Sequence, residues 1–456
     1  MAKTNDTIAA IATPPGRGGV GIIRISGAKA AVIAKQLVGK NPGEQGLKAR
    51  EATFCTFLGK DSTPIDSGIL VYYPQPASYT GEHVVELQGH GGRVVMSMLL
   101  DRVLALGARQ ARPGEFTERA FINDKIDLVQ AEAVAALIDS VSSQAARSAI
   151  RSLEGEFSSN INSLLQRLIN LRTFVESALD FPEEEIDFIQ EADIKEKLLA
   201  CIEEIGKMLV RARQGARLGE GLKLAIVGSP NVGKSSLLNR LAGREAAIVS
   251  TAPGTTRDIV EENILIDGAP LNLLDTAGLR DTKDDVEEEG IKRALNAASR
   301  ADIILLLIEY GQKTESEEHQ LLETIPENVK TIIVRNKIDL ADNTNELLDK
   351  NKHSAEVFLS AKTGEGVDTL VQQLKTIMGL SETNEDSYMA RTRHLNALLR
   401  TQEFLTKGAQ STEDKISLEL LAEDLRMAQE SLGTITGSFV ADDLLGEIFS
   451  SFCIGK

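Results

Sequence analysis

From Gly228 to Ser235 the chain reads Gly-Ser-Pro-Asn-Val-Gly-Lys-Ser, which satisfies the spacing G-x-x-x-x-G-K-[ST]. Residues of these types at this spacing can cradle a polyphosphate. Gly228 and Gly233 let the backbone turn with no Cβ in the way, so successive N–H groups converge on an anion. Lys234 brings a cation for β- and γ-oxygens, and the Ser235 hydroxyl is a hard ligand for Mg²⁺. The bland alternative is a glycine-rich turn that binds nothing. Four further groups, in the required order, argue against it. The loop Ser250-Thr251-Ala252-Pro253-Gly254 leads to Thr255 and Thr256, where a second hydroxyl ligand for Mg²⁺ is needed. Asp275-Thr276-Ala277-Gly278 offers a carboxylate for a metal-bound water and an N–H for a γ-phosphate. Asn336-Lys337-Ile338-Asp339 ends in a carboxylate able to accept from both N1–H and the exocyclic amine of guanine, a bidentate pair that adenine cannot make. Ser360-Ala361-Lys362 can back the base with N–H groups. With Asn231, Val232 and Ser236 of the first motif, these residues predict a site for GTP and Mg²⁺.

One residue type is missing. Leu279 follows Gly278, where a Ras-like switch places a water-orienting Gln. The water must then be positioned by another group, and the acidic run Asp281 to Glu289 is the nearest supply. Most of its carboxylates read as a solvated loop face, with one of them free to act as base.

Each motif needs a strand to carry it. Leu224 to Val227 is a short apolar run with strand character, and Leu237, Leu238 and Leu241 mark the helix after the phosphate loop. Leu271 to Leu274, Ile303 to Ile308, Thr331 to Val334 and Val357 to Leu359 supply the other strands. The spacing predicts an α/β GTPase domain over residues 217–379.

The flanking segments read differently. Residues 1–118 mix strands (Thr7 to Ala12, Val20 to Ile25, Ile69 to Tyr73, Val84 to Leu87) with a helix over Val94 to Leu106, an α+β domain. Its Gly-rich loop around Arg17 can bind an anion, and Gln88-Gly89-His90-Gly91-Gly92 reads as a ligand loop or a tight turn. Residues 119–216 are helical, with Leu164, Leu168, Leu171, Val175 and Leu179 forming one apolar stripe. Pro182 with Glu183-Glu184-Glu185 marks a break between helices. Arg211, Arg213 and Arg217, with Gly215, Gly219 and Gly221, suggest a basic and flexible approach to the GTPase domain. Residues 380–456 are helical again, so the economical architecture is multidomain. It comprises an α+β N-terminal domain, one discontinuous all-α domain and an inserted α/β P-loop domain of the Ras-like class.

Totals agree with this layout. A chain of 456 residues with 42% hydrophobic content accommodates two to four domains. The net charge of −17 is spread out (19 basic against 27 acidic residues across 216–379), so any RNA contact needs a local basic patch. No run of about 18 apolar residues predicts a membrane span, and the start Met-Ala-Lys-Thr-Asn-Asp lacks an apolar signal core, so a cytoplasmic protein is expected. Cys55, Cys201 and Cys453 are too far apart for a C-x-x-C site. Cys453, beside Phe452 and Ile454, reads either as packing or as an exposed reactive thiol.

With these residues assembled, the chain resembles the bacterial tRNA modification GTPase family MnmE, also called TrmE. The resemblance rests on Asp6-Thr7-Ile8, on Thr13-Pro14-Pro15-Gly16-Arg17-Gly18-Gly19-Val20-Gly21-Ile22 and on Glu86-Leu87 with the glycine-rich segment that follows. Arg112-Pro113-Gly114-Glu115-Phe116, the nucleotide motifs and the ending Phe452-Cys453-Ile454-Gly455-Lys456 complete it. It implies an N-terminal domain that binds 5-formyltetrahydrofolate and forms a homodimer, with Arg24, Glu86, Lys125 and Lys456 around the folate. It also implies an FAD-dependent partner, MnmG (GidA), in a heterotetramer that adds a carboxymethylaminomethyl or aminomethyl group to the wobble uridine of certain tRNAs. Methylenetetrahydrofolate is the carbon source in that family, and Cys453 takes a catalytic part. By the same resemblance, GTP hydrolysis needs K⁺-dependent pairing of two GTPase domains. Asn231, Ser250, Ala252 and Thr255 match the K⁺ positions, and Glu287 matches the water-activating carboxylate. Ser250, Ala252 and Pro253 depart from the residues frequent at their positions. Since backbone carbonyls coordinate, the K⁺ site is expected to survive.

Overall fold

The structure, a computed structural model, describes residues 6–38, 47–180, 188–229, 231–244, 263–266, 269–274, 300–311, 329–340, 355–378, 388–413, 418–438 and 442–455. It divides into two compact units. One gathers Met1–Ala135, Leu153–Gln190 and Gln410–Lys456, and the other Ala136–Ser152 and Glu191–Ala409.

The first unit is built on a six-stranded sheet of β1 (Ile8–Ile11), β2 (Gly18–Ser26), β3 (Thr53–Leu58), β4 (Pro64–Tyr73), β5 (Val84–Gly91) and β6 (Arg109–Gln110), in the order β3-β4-β5-β2-β1-β6. Pairing is antiparallel except between β1 and β6. Alternation along the strands separates two faces. Ile23, Ile25, Val85 and Leu87 face α1 (Ala30–Leu37) and α2 (Arg93–Ala105), and pack with Ile33, Leu37, Leu99 and Val103. Arg24 and Glu86, one residue out of phase, therefore stand on the opposite face. There α3 (Glu115–Ile122) seats Phe116 with Ile8, Ala10 and Ala111. Gln88 to Gly91 of that segment prove to be strand rather than turn, because β5 keeps pairing with β2 as far as Gly91 against Gly18, and Gly92 is the N-cap of α2. The predicted apolar stripe is also present. Leu164, Leu168, Leu171 and Val175 are buried on α6 (Glu156–Asp180).

Three further helices are α4 (Leu128–Ile138), α5 (Ser143–Leu153) and α7 (Phe188–Gly219). The second unit holds a six-stranded sheet of β7 (Leu222–Gly228), β8 (Asn263–Ile266), β9 (Ala269–Leu274), β10 (Ile303–Glu309), β11 (Lys330–Asn336) and β12 (Ala355–Phe358). The order is β12-β11-β10-β7-β9-β8, all parallel except β8, an antiparallel edge that its sequence did not announce. Ile303 to Ile308 is apolar without interruption because β10 is central and covered on both faces. On one face α8 (Lys234–Arg244) and α9 (Val367–Met378) contribute Leu237, Leu241, Leu370 and Leu374 to the core. The remaining α-helices among the described residues are α10 (Thr392–Glu413), α11 (Leu418–Thr436) and α12 (Asp442–Ser450). In the first unit α11 packs along α6, and α12 places Leu445, Ile448 and Phe449 against Leu128 of α4.

The expected flexible approach at residues 211–219 is instead the end of the long helix α7. Its glycines serve contact, not mobility. A Cβ on Gly215 would stand 1.8 Å from the Tyr388 carbonyl oxygen, and one on Gly219 would stand 2.3 Å from Met389 Sδ. Arg217 is committed as well, donating to the Met378 carbonyl at 3.0 Å. The break expected at Pro182 lies outside the described residues. Among the described residues no helix is long and apolar enough to cross a membrane.

Candidate functional site

The phosphate loop leaves the C-terminal end of β7 with its backbone held in conformations that glycine tolerates. Gly228 has φ +153° and Gly233 has φ +103°. A Cβ would fall 2.3 Å from the Leu307 carbonyl oxygen at the first position, and 2.3 Å from Asn336 Nδ2 at the second. Asn231 adopts φ +62°, left-handed backbone that Asn accepts better than most residues. Lys234, which opens α8 together with Ser235 and Ser236, folds back across the loop. Its Nζ donates to the Gly228 carbonyl at 2.6 Å and to the Ser229 carbonyl at 3.0 Å. Burial holds this ammonium below the ordinary lysine range. A half-buried cation held by two neutral carbonyls suits an anionic ligand.

The Asn336–Asp339 and Ser360–Lys362 motifs converge on the same loop. Asn336, buried at the end of β11, donates from Nδ2 to the Val232 carbonyl at 2.7 Å and accepts from the Ala361 N–H at 2.9 Å. One carboxamide thus ties three of the sequence motifs together. Ser360 donates to Asp339 Oδ1 at 2.6 Å and accepts from the Thr363 N–H at 3.1 Å, which orients the carboxylate expected to read guanine. Lys337, at φ +68°, pairs with Glu309 at 2.6 Å. Arg240 of α8 clasps the third motif from outside, donating to the carbonyls of Ala361 (3.1 Å) and Lys362. Within the loop that can back a base, the Ala361 N–H donates to Asn336 Oδ1. Arg240 and Glu309 belong to no motif, and only the fold reveals them. Ser250, Thr251, Ala252, Pro253, Gly254, Thr255, Thr256, Asp275, Thr276, Ala277, Gly278, Glu287 and Lys456 lie outside the described residues.

A second constellation occupies the sheet face of the first unit. Arg24 and Glu86 sit directly opposite each other on β2 and β5, and the guanidinium donates to Glu86 Oε1 at 3.0 Å. The same guanidinium lies 5.6 Å from the centre of the Tyr79 ring and 5.7 Å from that of Phe116, in cation–π range. Burial pushes the Tyr79 phenol up, against the opposing pull of its hydrogen bond to Thr117 and of nearby Arg24. Lys125 packs its stem near Gly81, where a Cβ would stand 3.3 Å from Lys125 Cγ and Cδ.

The chain's C-terminal segment is fastened to this unit at two points. Gly114 (φ +66°) donates its N–H to the Cys453 carbonyl at 3.3 Å, and Gly455 (φ +99°) leaves room for only 2.4 Å between a Cβ and the Ile11 carbonyl oxygen. Phe452 is buried while Cys453 is exposed. The turn that holds Cys453 is therefore the one that carries Phe116 beneath Arg24. Two features had no sequence signal. Asp66 accepts from both the backbone N–H and Nδ1 of His90, each at 2.7 Å. Arg119 and Arg109 share the buried Glu115, at 3.1 and 2.7 Å.

Family profiles match along nearly the whole chain: "GTP-binding protein TrmE N-terminus" over residues 7–125 and "MnmE helical domain" over residues 128–453. The chain is 53% identical over 454 residues to the tRNA modification GTPase MnmE of Hydrogenovibrio crunogenus, covering 100% of this chain and 99% of that one. It is 52% identical over 455 residues to the MnmE of Nitrosomonas europaea, covering 99% of this chain and 100% of that one. Among solved structures, the G domain of the FeoB iron transporter of T. maritima aligns with 34% of this chain and 98% of its own, at 30% identity and a TM-score of 0.26. Full-length identity of this order, with both family profiles in register, settles the assignment: the chain belongs to the MnmE family of tRNA modification GTPases.

Proposed function

We propose that this GTP-hydrolysing enzyme drives a folate-dependent modification of tRNA. In this reading it adds a carboxymethylaminomethyl or aminomethyl group to the wobble uridine, with methylenetetrahydrofolate as carbon source. The observation that carries the reading is the shared turn at residues 112–116, which holds exposed Cys453 and sets Phe116 under the Arg24–Glu86 pair. A guanidinium between two aromatic rings, paired with a carboxylate, fits a flat heterocycle with donors and acceptors on its edge, as in a folate. Arg24, Glu86, Lys125 and Lys456 would bind it, and Cys453 would act on the chemistry beside it.

At the nucleotide site, the loop from Asn231 to Ser236 binds phosphates, while Asn336, Lys337 and Asp339 with Ser360 to Lys362 select guanine. Ser235 and Thr256 would hold Mg²⁺, with Asp275 to Gly278 sensing the γ-phosphate. Asn231, Ser250, Ala252 and Thr255 would hold K⁺, and Glu287 would activate the water. A cation between paired GTPase domains would offset developing charge as an arginine finger does, an effect of about 10³–10⁵ in rate. The domains in this reading are 1–118, 119–216 with 380–456, and 217–379. The first would also make the homodimer. Phe54, 74% exposed, and Ile69 stand opposite each other on β3 and β4 and give that sheet an apolar outer patch. The FAD-dependent MnmG completes a cytoplasmic heterotetramer.

Wobble-nucleoside analysis of tRNA from a deletion strain, rescued with wild type or Cys453→Ser, tests this directly. Wild type should restore the modified uridine, and Cys453→Ser should not while keeping GTPase activity. Rescue by Cys453→Ser would remove the thiol from the chemistry. In vitro, Glu287→Ala should abolish hydrolysis with GTP affinity retained, and exchanging K⁺ for Na⁺ should slow turnover. An unchanged rate in Na⁺ would dispose of the potassium reading.

A further inference from the structure

The first unit contains a cleft of about 680 Å³ between the loop that precedes β2 and the start of α2. Its walls are Thr13 to Gly18, Arg93 and Gln110, its floor is Ile11, Met96 and Leu100, and Ile454 closes one side. In a chain of net charge −17, the lining contains two guanidiniums, Arg17 and Arg93, and no carboxylate. Neither arginine has an ion-pair partner among the described residues. Gly16 has open space where a Cβ would be, so the loop backbone is accessible to a ligand there. The next residue beyond Ile454 is the exposed Cys453, whose carbonyl is pinned by Gly114.

We propose that this cleft binds a phosphodiester segment of single-stranded RNA, the strand that delivers the target uridine to Cys453. The inference deepens the functional reading above and rests on it for the role of Cys453. Guanidiniums with no ion-pair partner among the described residues match phosphate oxygens, which accept their N–H groups two at a time. The apolar floor between them suits an unstacked base, the form in which loop nucleotides are read. A base to be modified must leave its stack to reach a reactive group, and its flanking phosphates then need a fixed hold.

The test uses the full chain and a fluorescein-labelled anticodon stem-loop RNA bearing the wobble uridine, followed by anisotropy over a salt series. Arg17→Ala with Arg93→Ala should weaken binding about tenfold or more and lower the salt slope by roughly 1.4, the value for two single-strand phosphate contacts. Arg17→Lys with Arg93→Lys should keep most of the affinity. GTP hydrolysis, thermal midpoint and 5-formyltetrahydrofolate affinity should stay at wild-type values. Equal RNA affinity and slope in the double alanine variant overturn the proposal alone. So does a loss confined to folate affinity, which would give the cleft to the folate's anionic tail, or a change confined to oligomeric state. Failure of the wild type to bind the RNA would instead overturn both this proposal and the tRNA reading beneath it.

Discussion

Asn336 and Val232 are 104 positions apart in the chain and joined by a 2.7 Å hydrogen bond from carboxamide to carbonyl. The other end of the same carboxamide accepts from Ala361, so the end of β11, the Gly228–Ser235 loop and the Ser360–Lys362 loop share one buried side chain. Asn336→Ala would leave a buried carbonyl and a buried N–H without these partners, at about 1–3 kcal/mol for each group so stranded. Guanine-nucleotide affinity should fall at least about tenfold, since 1.4 kcal/mol is a factor of ten. Titration with a fluorescent GDP analogue checks this, and wild-type affinity would show that the tie is dispensable.

Gly215 and Gly206 lie on the same helix and should respond oppositely to alanine. At Gly215 the new Cβ meets the backbone of Tyr388, which cannot move aside as a flexible side chain can, so Gly215→Ala should destabilise by about 1–3 kcal/mol. At Gly206 nothing stands within 4 Å, and the helix interior favours alanine by about 0.5–1 kcal/mol. Denaturant midpoints of the two variants should move in opposite directions.

The cysteines differ in accessibility and in charge state. Burial pushes the Cys55 thiol up to about 11, Cys201 is buried, and Cys453 is exposed. Iodoacetamide reacts with thiolates. At about pH 8 it should therefore label Cys453 alone in the folded protein and all three in denaturant, as peptide mass spectrometry would reveal. Labelling of Cys55 at a comparable rate would contradict the packing of the first unit.

Glu115 sets an acid limit on the first unit. Burial raises its carboxyl, but Arg109, the Arg112 N–H and Arg119 outweigh that and hold it below the usual range. A carboxyl lowered on folding adds stability above its unfolded value, about 4.3, and that stability disappears as pH falls through the lower folded value. Glu115→Gln should therefore lose stability near neutrality and show a flatter decline from about pH 5 downward. Urea midpoints across that range measure it, and parallel curves for variant and wild type would exclude the role.

The fold class and the GTPase character were legible because both depend on local patterns. Apolar runs of strand length followed by glycine-rich turns locate β7, β9, β10 and β11, and a phosphate loop needs particular residues at particular offsets whatever surrounds it. Arg24 and Glu86 entered only through family resemblance, since no spacing marks two residues 62 positions apart as partners. The sheet register made them a pair and brought the rings of Tyr79 and Phe116 around them. Gly215 and Gly219 show the same limit from the other side. Glycine beside arginine reads as a loose linker until a backbone carbonyl is seen where the Cβ would be. Cys453 stood undecided between packing and reactivity in the linear chain. Tertiary structure exposed it, because Gly114 and Ile11 lie far away in sequence and hold its neighbours in place. Local chemistry is written in short stretches of residues, whereas non-local contacts depend on how strands register and helices dock, which no single stretch encodes.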